Sequence, residues 1–259
     1  MSTPRVILIT GASGGIGRAC AVHLSQVFPS AEDQRPLVLV LSGRRQGELE
    51  ETAKQTREGT TTEIVVGDVS KEEDVVQMFK LVKEKYGRVD IVFNNAGVDL
   101  LKGVATEDAD IAKFRQVLDV NVMSAVICTK EAIRLMKEQS PQGGRIINNG
   151  SISATAPRPN SAAYTVSKHA ITGLTRSTSL DGRKYNINAT QIDIGNAATD
   201  MAAYVSSGST QADGSIKKEP TMNVLNVAKT IAFITGLPLE ADVLRMEIIA
   251  AGMPYVGRG

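Results

Sequence analysis

Two rhythms of apolar and polar residues alternate along this chain. Short runs dominated by apolar residues occur at 5–10, 37–41, 62–67, 89–93, 145–149, 187–194 and 243–249. Each gives way to a stretch rich in Gly, Asn, Asp, Ser or Ala, and runs of this length and closure predict strands buried on both faces of a parallel sheet. Between them, at 15–27, 71–86, 107–139, 162–184 and 223–236, apolar residues recur three and four positions apart, which predicts helices, and 46–58 reads as a polar helix. Strand candidates alternating with helix candidates predict an α/β fold with a Rossmann-like, doubly wound parallel sheet of about seven strands flanked by helices. No linker interrupts the pattern, so residues 1–259 are expected to form a single domain. The segment 200–220, rich in Ser, Gly, Gln, Asp and Lys, has no sustained periodicity. With the strand end before it, it predicts a substrate lid near 196–220.

Composition removes several functions. The formal charge is +1 with both signs spread along the chain, so no basic face advertises a nucleic acid partner. Cys20 and Cys128 each lie in an apolar helical context without metal-ligand spacing, which predicts core packing and neither disulfide nor metal. The first apolar run ends at Gly11, too short for a signal peptide or a membrane span, so a cytoplasmic protein without a membrane partner is expected.

Candidate chemistry gathers at the strand ends. After the first strand come Gly11, Ser13, Gly14, Gly15, Ile16 and Gly17, then a helix. Small residues in such a turn let backbone approach a pyrophosphate that the N–H groups of the helix start then hold. A tight strand-to-helix turn without a ligand would use the same glycines. Simple counting for an acid that binds a ribose hydroxyl selects Glu32 or Asp33, but both precede the second strand. At that strand's carboxyl end stand Gly43, Arg44 and Arg45, and a guanidinium fork suits a phosphate, so NADP(H) is expected over NAD(H) unless the arginines only cap a solvated turn. Asp68, followed by Val69, can meet an adenine amino group or cap the next helix. Asn94 and Asn95 can tie strands together while Ala96 and Gly97 leave room for a ribose. Asn121 sits in the apolar middle of a helix, where its amide must find a backbone partner or order a water beside Lys168.

Between Gly150 and Lys168 the chain places Tyr164 and Lys168 four residues apart, with Ser151 thirteen residues before the tyrosine. Residues i and i+4 share a helix face, and an ammonium beside a phenol favours phenolate, which brings the phenol towards the range of a general acid and base. Ser151 can then hold the substrate oxygen while the proton moves. A surface pair on an amphipathic helix is the alternative. The turn from Ile194 to Thr199 lies at another strand end, where ligands of open α/β sheets bind.

In this order and spacing, the segment Thr10 to Gly17, Asp68, Asn94 to Gly97, Asn121, Ser151, Tyr164 and Lys168 resemble the short-chain dehydrogenases/reductases over nearly the whole chain. The resemblance implies a catalytic tetrad of Asn121, Ser151, Tyr164 and Lys168, in which the lysine holds the nicotinamide ribose and feeds a proton relay through water placed by the asparagine. It implies a similar cofactor-binding role for Gly11, Ser13, Gly15, Ile16, Gly17, Arg44, Asp68, Val69, Asn95, Ala96, Gly97, Ile194 and Thr199, besides Tyr164 and Lys168. Three departures stand out: Gly14 where many NADP-preferring members carry a basic residue, Ile194-Gly195 in place of a Pro-Gly turn, and an unusual C-terminal sequence after Ala250. The expected activity is NADP(H)-dependent interconversion of a medium-sized, mostly uncharged carbonyl compound and its alcohol. The alternatives are a dinucleotide-binding sensor without turnover, and an epimerase or dehydratase using bound nicotinamide internally. Apolar residues on more than one face of the helices at 107–139 and 162–184 predict a homodimer or homotetramer.

Overall fold

The computed structural model describes residues 3–199 and 208–256. In chain order its strands are β1 (Arg5–Thr10), β2 (Leu37–Gly43), β3 (Thr61–Val66), β4 (Ile91–Asn94), β5 (Gly144–Asn149), β6 (Ile187–Ile194), β7 (Ser209–Thr210), β8 (Ile216–Lys217) and β9 (Arg245–Ile248). All but β7 and β8 form one parallel sheet in the order β3-β2-β1-β4-β5-β6-β9. The helices are α1 (Gly15–Val27), α2 (Gln46–Lys54), α3 (Glu72–Tyr86), α4 (Ile111–Leu118), α5 (Ser124–Glu138), α6 (Ala162–Gly182) and α7 (Val224–Gly236).

Period-two alternation in β1 and β2 explains why the sheet is covered on both sides. Ile7, Ile9, Leu39 and Leu41 face one core with Cys20, Leu24, Ile231 and Ile234 of α1 and α7. Val6, Leu8, Val38 and Val40 face the other, with Val75, Phe79, Cys128 and Leu135 of α3 and α5. Both cysteines are buried free thiols, as core packing requires. The strand order reverses at β1 and β4, and the crevice above their carboxyl ends is where an open α/β sheet can admit a ligand.

The expected helix over 107–139 is instead four successive elements. Residues 106–108 form a separate 3-10 turn, and α4 starts at Ile111 because the Asp110 carboxylate accepts from the N–H groups of Ala112 and Lys113 at 2.8 and 3.3 Å. Between α4 and α5, Asp119–Met123 form a π-turn that contains Asn121. The expected helix over 46–58 stops at Lys54, two residues after its last buried contact, Thr52. Of the expected lid, residues 200–207 lie outside the described residues. Residues 208–220 hold the antiparallel hairpin β7–β8, whose strands are too short to leave a periodic signal.

Candidate functional site

A cleft of about 530 Å³ opens along the carboxyl ends of the strands and is lined by Gly11, Ser13, Gly15, Ile16, Arg44, Asp68, Val69, Asn95, Ala96, Gly97, Tyr164, Lys168, Ile194 and Thr199. Its volume falls in the range of sites that enclose small molecules or cofactors. Gly17 is not part of the lining. A Cβ there would stand 2.3 Å from the Gly11 carbonyl oxygen, so this glycine lets the first turn of α1 press against the end of β1. Gly11, at φ +66°, has a conformation that favours glycine, and a Cβ there would press on Ala96 and Asn95 at 3.0 Å. The start of α1 has neither a side-chain cap nor an acidic residue in its first turn, which leaves its N–H groups and the positive end of its dipole turned to the cleft.

Two cations stand at the far end. Arg44 and Arg45 are both exposed at the end of β2, and Arg45 Nη2 donates to Ser13 Oγ at 3.2 Å, so Arg45 belongs beside Arg44 in the candidate anion site. Asp68 faces this end too. Burial opposes its ionisation, but bonds from Ser70 Oγ at 2.7 Å and Ser70 N at 3.1 Å, with the charge of Arg44, keep it below its ordinary value. Asp68 does not cap the next helix: α3 begins at Glu72 with Lys71 as its N-cap and no side-chain cap bond, and the Asp68 carboxylate is bonded by Ser70 instead. An uncapped helix start, a turn of small residues and a pair of guanidinium groups fit the phosphates of a dinucleotide.

The floor is tied together by short polar side chains. Thr10 Oγ1 accepts from the N–H groups of Asn95 and Ala96, each at 3.0 Å, and Asn95 Nδ2 donates to the Thr10 carbonyl at 2.9 Å. Asn94 Nδ2 donates to Asn148 Oδ1 at 2.8 Å, joining β4 to β5. Asn149 Nδ2 donates to Asn95 Oδ1 at 3.0 Å, and its carbonyl accepts from Lys168 Nζ at 2.7 Å. Thr10 and Asn149 escaped the sequence reading as tethers; a polar residue closing an apolar strand was their signal.

Lys168 is buried, and its ammonium lies 5.4 Å from the centre of the half-buried Tyr164 ring. Burial pushes the lysine down to about 8, with the Asp193 carboxylate opposing the fall. The Asn121 amide takes the backbone alternative: it accepts from Val98 N at 2.7 Å and donates to the Val98 carbonyl at 2.9 Å and to Ser167 Oγ at 3.1 Å. Ser151 is buried, and its Oγ accepts from Ser153 N at 3.1 Å.

Ser151 lines a second cavity of about 970 Å³, which meets the first at Tyr164, Ile194 and Gly195. Ser153 and Asn196 line it, together with residues of the β7–β8 hairpin and the segment 252–256. Arg158, in the loop before α6, is half-buried and paired. Its guanidinium donates twice to Glu219, at 2.5 Å each, and Asn196 and Gln211 donate to the same carboxylate at 2.7 and 2.8 Å. Burial alone would raise Glu219, yet these donors hold it down at about 2. Asp99 and Lys102, absent from the sequence reading, also line this cavity; burial pushes the acid up and the lysine down.

A doubly wound parallel sheet with a glycine turn at its switch point defines a Rossmann-like protein. The profile described as short chain dehydrogenase matches residues 5–210, and the chain belongs to that oxidoreductase family. It is 33% identical over 177 residues to a 3beta-hydroxysteroid dehydrogenase of Mediterraneibacter gnavus, an alignment that covers 68% of this chain and 60% of that relative. Among solved structures it is similar to the acetoin dehydrogenase YohF of Salmonella typhimurium, at 26% identity and a TM-score of 0.77 over 95% of each chain. An alcohol dehydrogenase of Thermococcus sibiricus complexed with 5-hydroxy-NADP shares the fold, at 23% identity and a TM-score of 0.79 over 98% of this chain and 99% of that one.

Proposed function

We propose that the protein interconverts a carbonyl compound and its alcohol with NADP(H), and that Tyr164 exchanges the proton on the substrate oxygen. The observation that carries this function is the buried Lys168 ammonium 5.4 Å from the Tyr164 ring, at the seam between the two cavities. A cation there stabilises the charge left on a phenol when its proton departs. Because Ser151 Oγ accepts from Ser153 N, its own hydrogen remains available to the substrate oxygen, where it steadies a developing alkoxide. With its amide committed to Val98 and Ser167, Asn121 serves a water relay to Lys168 through the main chain of the π-turn, where the regular helix ladder is interrupted.

The glycine turn, Asp68, Val69, Asn95 to Gly97, Ile194 and Thr199 hold the dinucleotide in the first cleft, and Arg44 with Arg45 takes the 2′-phosphate. When bound, the nicotinamide supplies or accepts the hydride. Pairing of Arg158 with Glu219 supports an uncharged substrate in the second cavity, and its size supports a medium one. The whole chain works as one unit, with the β7–β8 hairpin as part of the lid. Exposed Ile111, Met123, Val166 and Leu180 support pairing of α4 to α6 with a second copy, and two unpaired buried thiols support a reducing cytoplasmic setting. None of the described helices is long and apolar enough to cross a membrane.

Tyr164→Phe is the test. Turnover of a carbonyl panel falls by about two to four orders of magnitude, the usual weight of a general acid, while NADPH binding followed by fluorescence persists. Unchanged turnover refutes the mechanism.

A further inference from the structure

Asp193, near the end of β6, is a fully buried carboxylate in an otherwise mostly apolar strand end, and such a group is costly unless its charge and lone pairs are satisfied. Here they are satisfied by groups around the candidate serine. Oδ1 accepts from the backbone N–H of Ser151 at 2.8 Å and from Gln191 Nε2 at 2.7 Å. Oδ2 accepts from Arg245 Nε at 2.6 Å. Arg245 lies on β9, the edge strand, and its Nη2 donates to Thr155 Oγ1 at 2.6 Å, so one guanidinium grips both Asp193 and the loop that leaves Ser151. The serine's own neighbour is shaped for this contact: a Cβ at Gly150 would stand 2.2 Å from Asp193 Oδ1.

A cross-tie between β6 and β9 would need only the Asp193 and Arg245 pair. The bond to Ser151 and the vacant side-chain position at Gly150 go beyond that need, and both direct the carboxylate at the peptide that sets where the serine hydroxyl lies. We propose that Asp193 is a positioning residue for the reaction: its carboxylate, held by Arg245, fixes the Ser151 peptide and thereby aims the hydroxyl at the substrate oxygen. This role rests on the proposed carbonyl–alcohol chemistry.

The test is a double-mutant cycle on the full chain, with saturating NADPH and a carbonyl substrate. Asp193→Ala lowers kcat roughly ten- to a hundredfold, the scale of a slight misplacement of a reacting group, with a smaller change in KM and unchanged NADPH affinity. Asp193→Asn keeps an acceptor for the Ser151 N–H and recovers most of kcat. In a Ser151→Ala background, Asp193→Ala costs less than about twofold, because the group it positions is gone. Hydrogen exchange of the peptide carrying Ser151 is faster in Asp193→Ala. If Asp193→Ala does not fold, Arg245→Gln replaces it in the same cycle, with a smaller loss confined to the Ser151 background. Equal losses in both backgrounds, or Asn no better than Ala, overturn the positioning role alone. A wild-type protein that turns over no carbonyl with either nicotinamide dinucleotide overturns it together with the proposed function.

Discussion

Replacing Lys168 with methionine should make the protein more stable while removing its activity. The ammonium is buried, and its fall from an ordinary 10.5 to about 8 corresponds to about 3 kcal/mol of charging cost at about 1.36 kcal/mol per pH unit. Methionine is similar in length and carries no charge. Loss of the bond from Lys168 Nζ to the Asn149 carbonyl returns about 1 kcal/mol. A net gain of about 2 kcal/mol raises Tm by about 4–8 °C for a domain of this size. The sign fixes the pH dependence. Below about 8 the lysine is protonated in both states, and the folded state carries the full cost. As pH rises through 8 towards 10.5, folded lysine loses its proton first and the cost fades, so the gap between variant and wild type closes before 10.5 and then reverses by up to about 1 kcal/mol, the weight of the lost bond to Asn149. Thermal melts followed by circular dichroism without cofactor, at several values in that window, measure the gap directly. A variant that melts below wild type at neutral pH, or a gap that stays constant to pH 10.5, refutes the claim that burial strains this ammonium.

Two further outcomes probe the ends of the two cavities. Replacing Arg44 and Arg45 together with serine weakens NADPH binding about tenfold or more, from the loss of charge-assisted bonds partly screened by solvent, and changes NADH binding much less. Fluorescence titration at fixed ionic strength decides it, and equal weakening of both dinucleotides would remove the phosphate role. Glu219→Ala strips the acceptor from Arg158, Asn196 and Gln211, so substrate KM rises about tenfold, in line with the loss of a charged hydrogen-bond partner, and hydrogen exchange in 208–220 quickens. Because Glu219 is held at about 2 against an ordinary 4.5, its contribution is complete above about pH 4.5 and fades as pH falls towards 2; wild type and variant then converge in exchange rate.

Elements whose ends coincide with a change of period were legible in the sequence. The boundaries of β1, α1 and β6 fall where apolar runs meet Gly11, the glycine turn and Gly195. Tyr164 and Lys168 could be paired because helix geometry fixes what lies four residues away. Contacts that join distant segments left no such trace. Arg158 and Glu219 are separated by 61 residues, and a loop arginine has no period to betray its partner. Asp193 was visible as a charge near the end of an apolar strand, but its link to Ser151 and Arg245 depends on the order of strands in the sheet. Asp110 was hidden inside a continuous periodic stretch, so the helix seemed to begin earlier than its cap allows.

The π-turn at Asp119–Met123 makes residue number matter there as much as residue identity. A regular helix rotates by about 100° per residue, so losing or gaining a single residue in this turn would swing α4 around its axis relative to α5. Such a swing would carry Val117 away from Ala163 on α6 and pull the Asn121 amide off Val98, although every side chain elsewhere was unchanged. Loops on the surface can absorb changes of length; this stretch works as a spline whose teeth engage in one setting only.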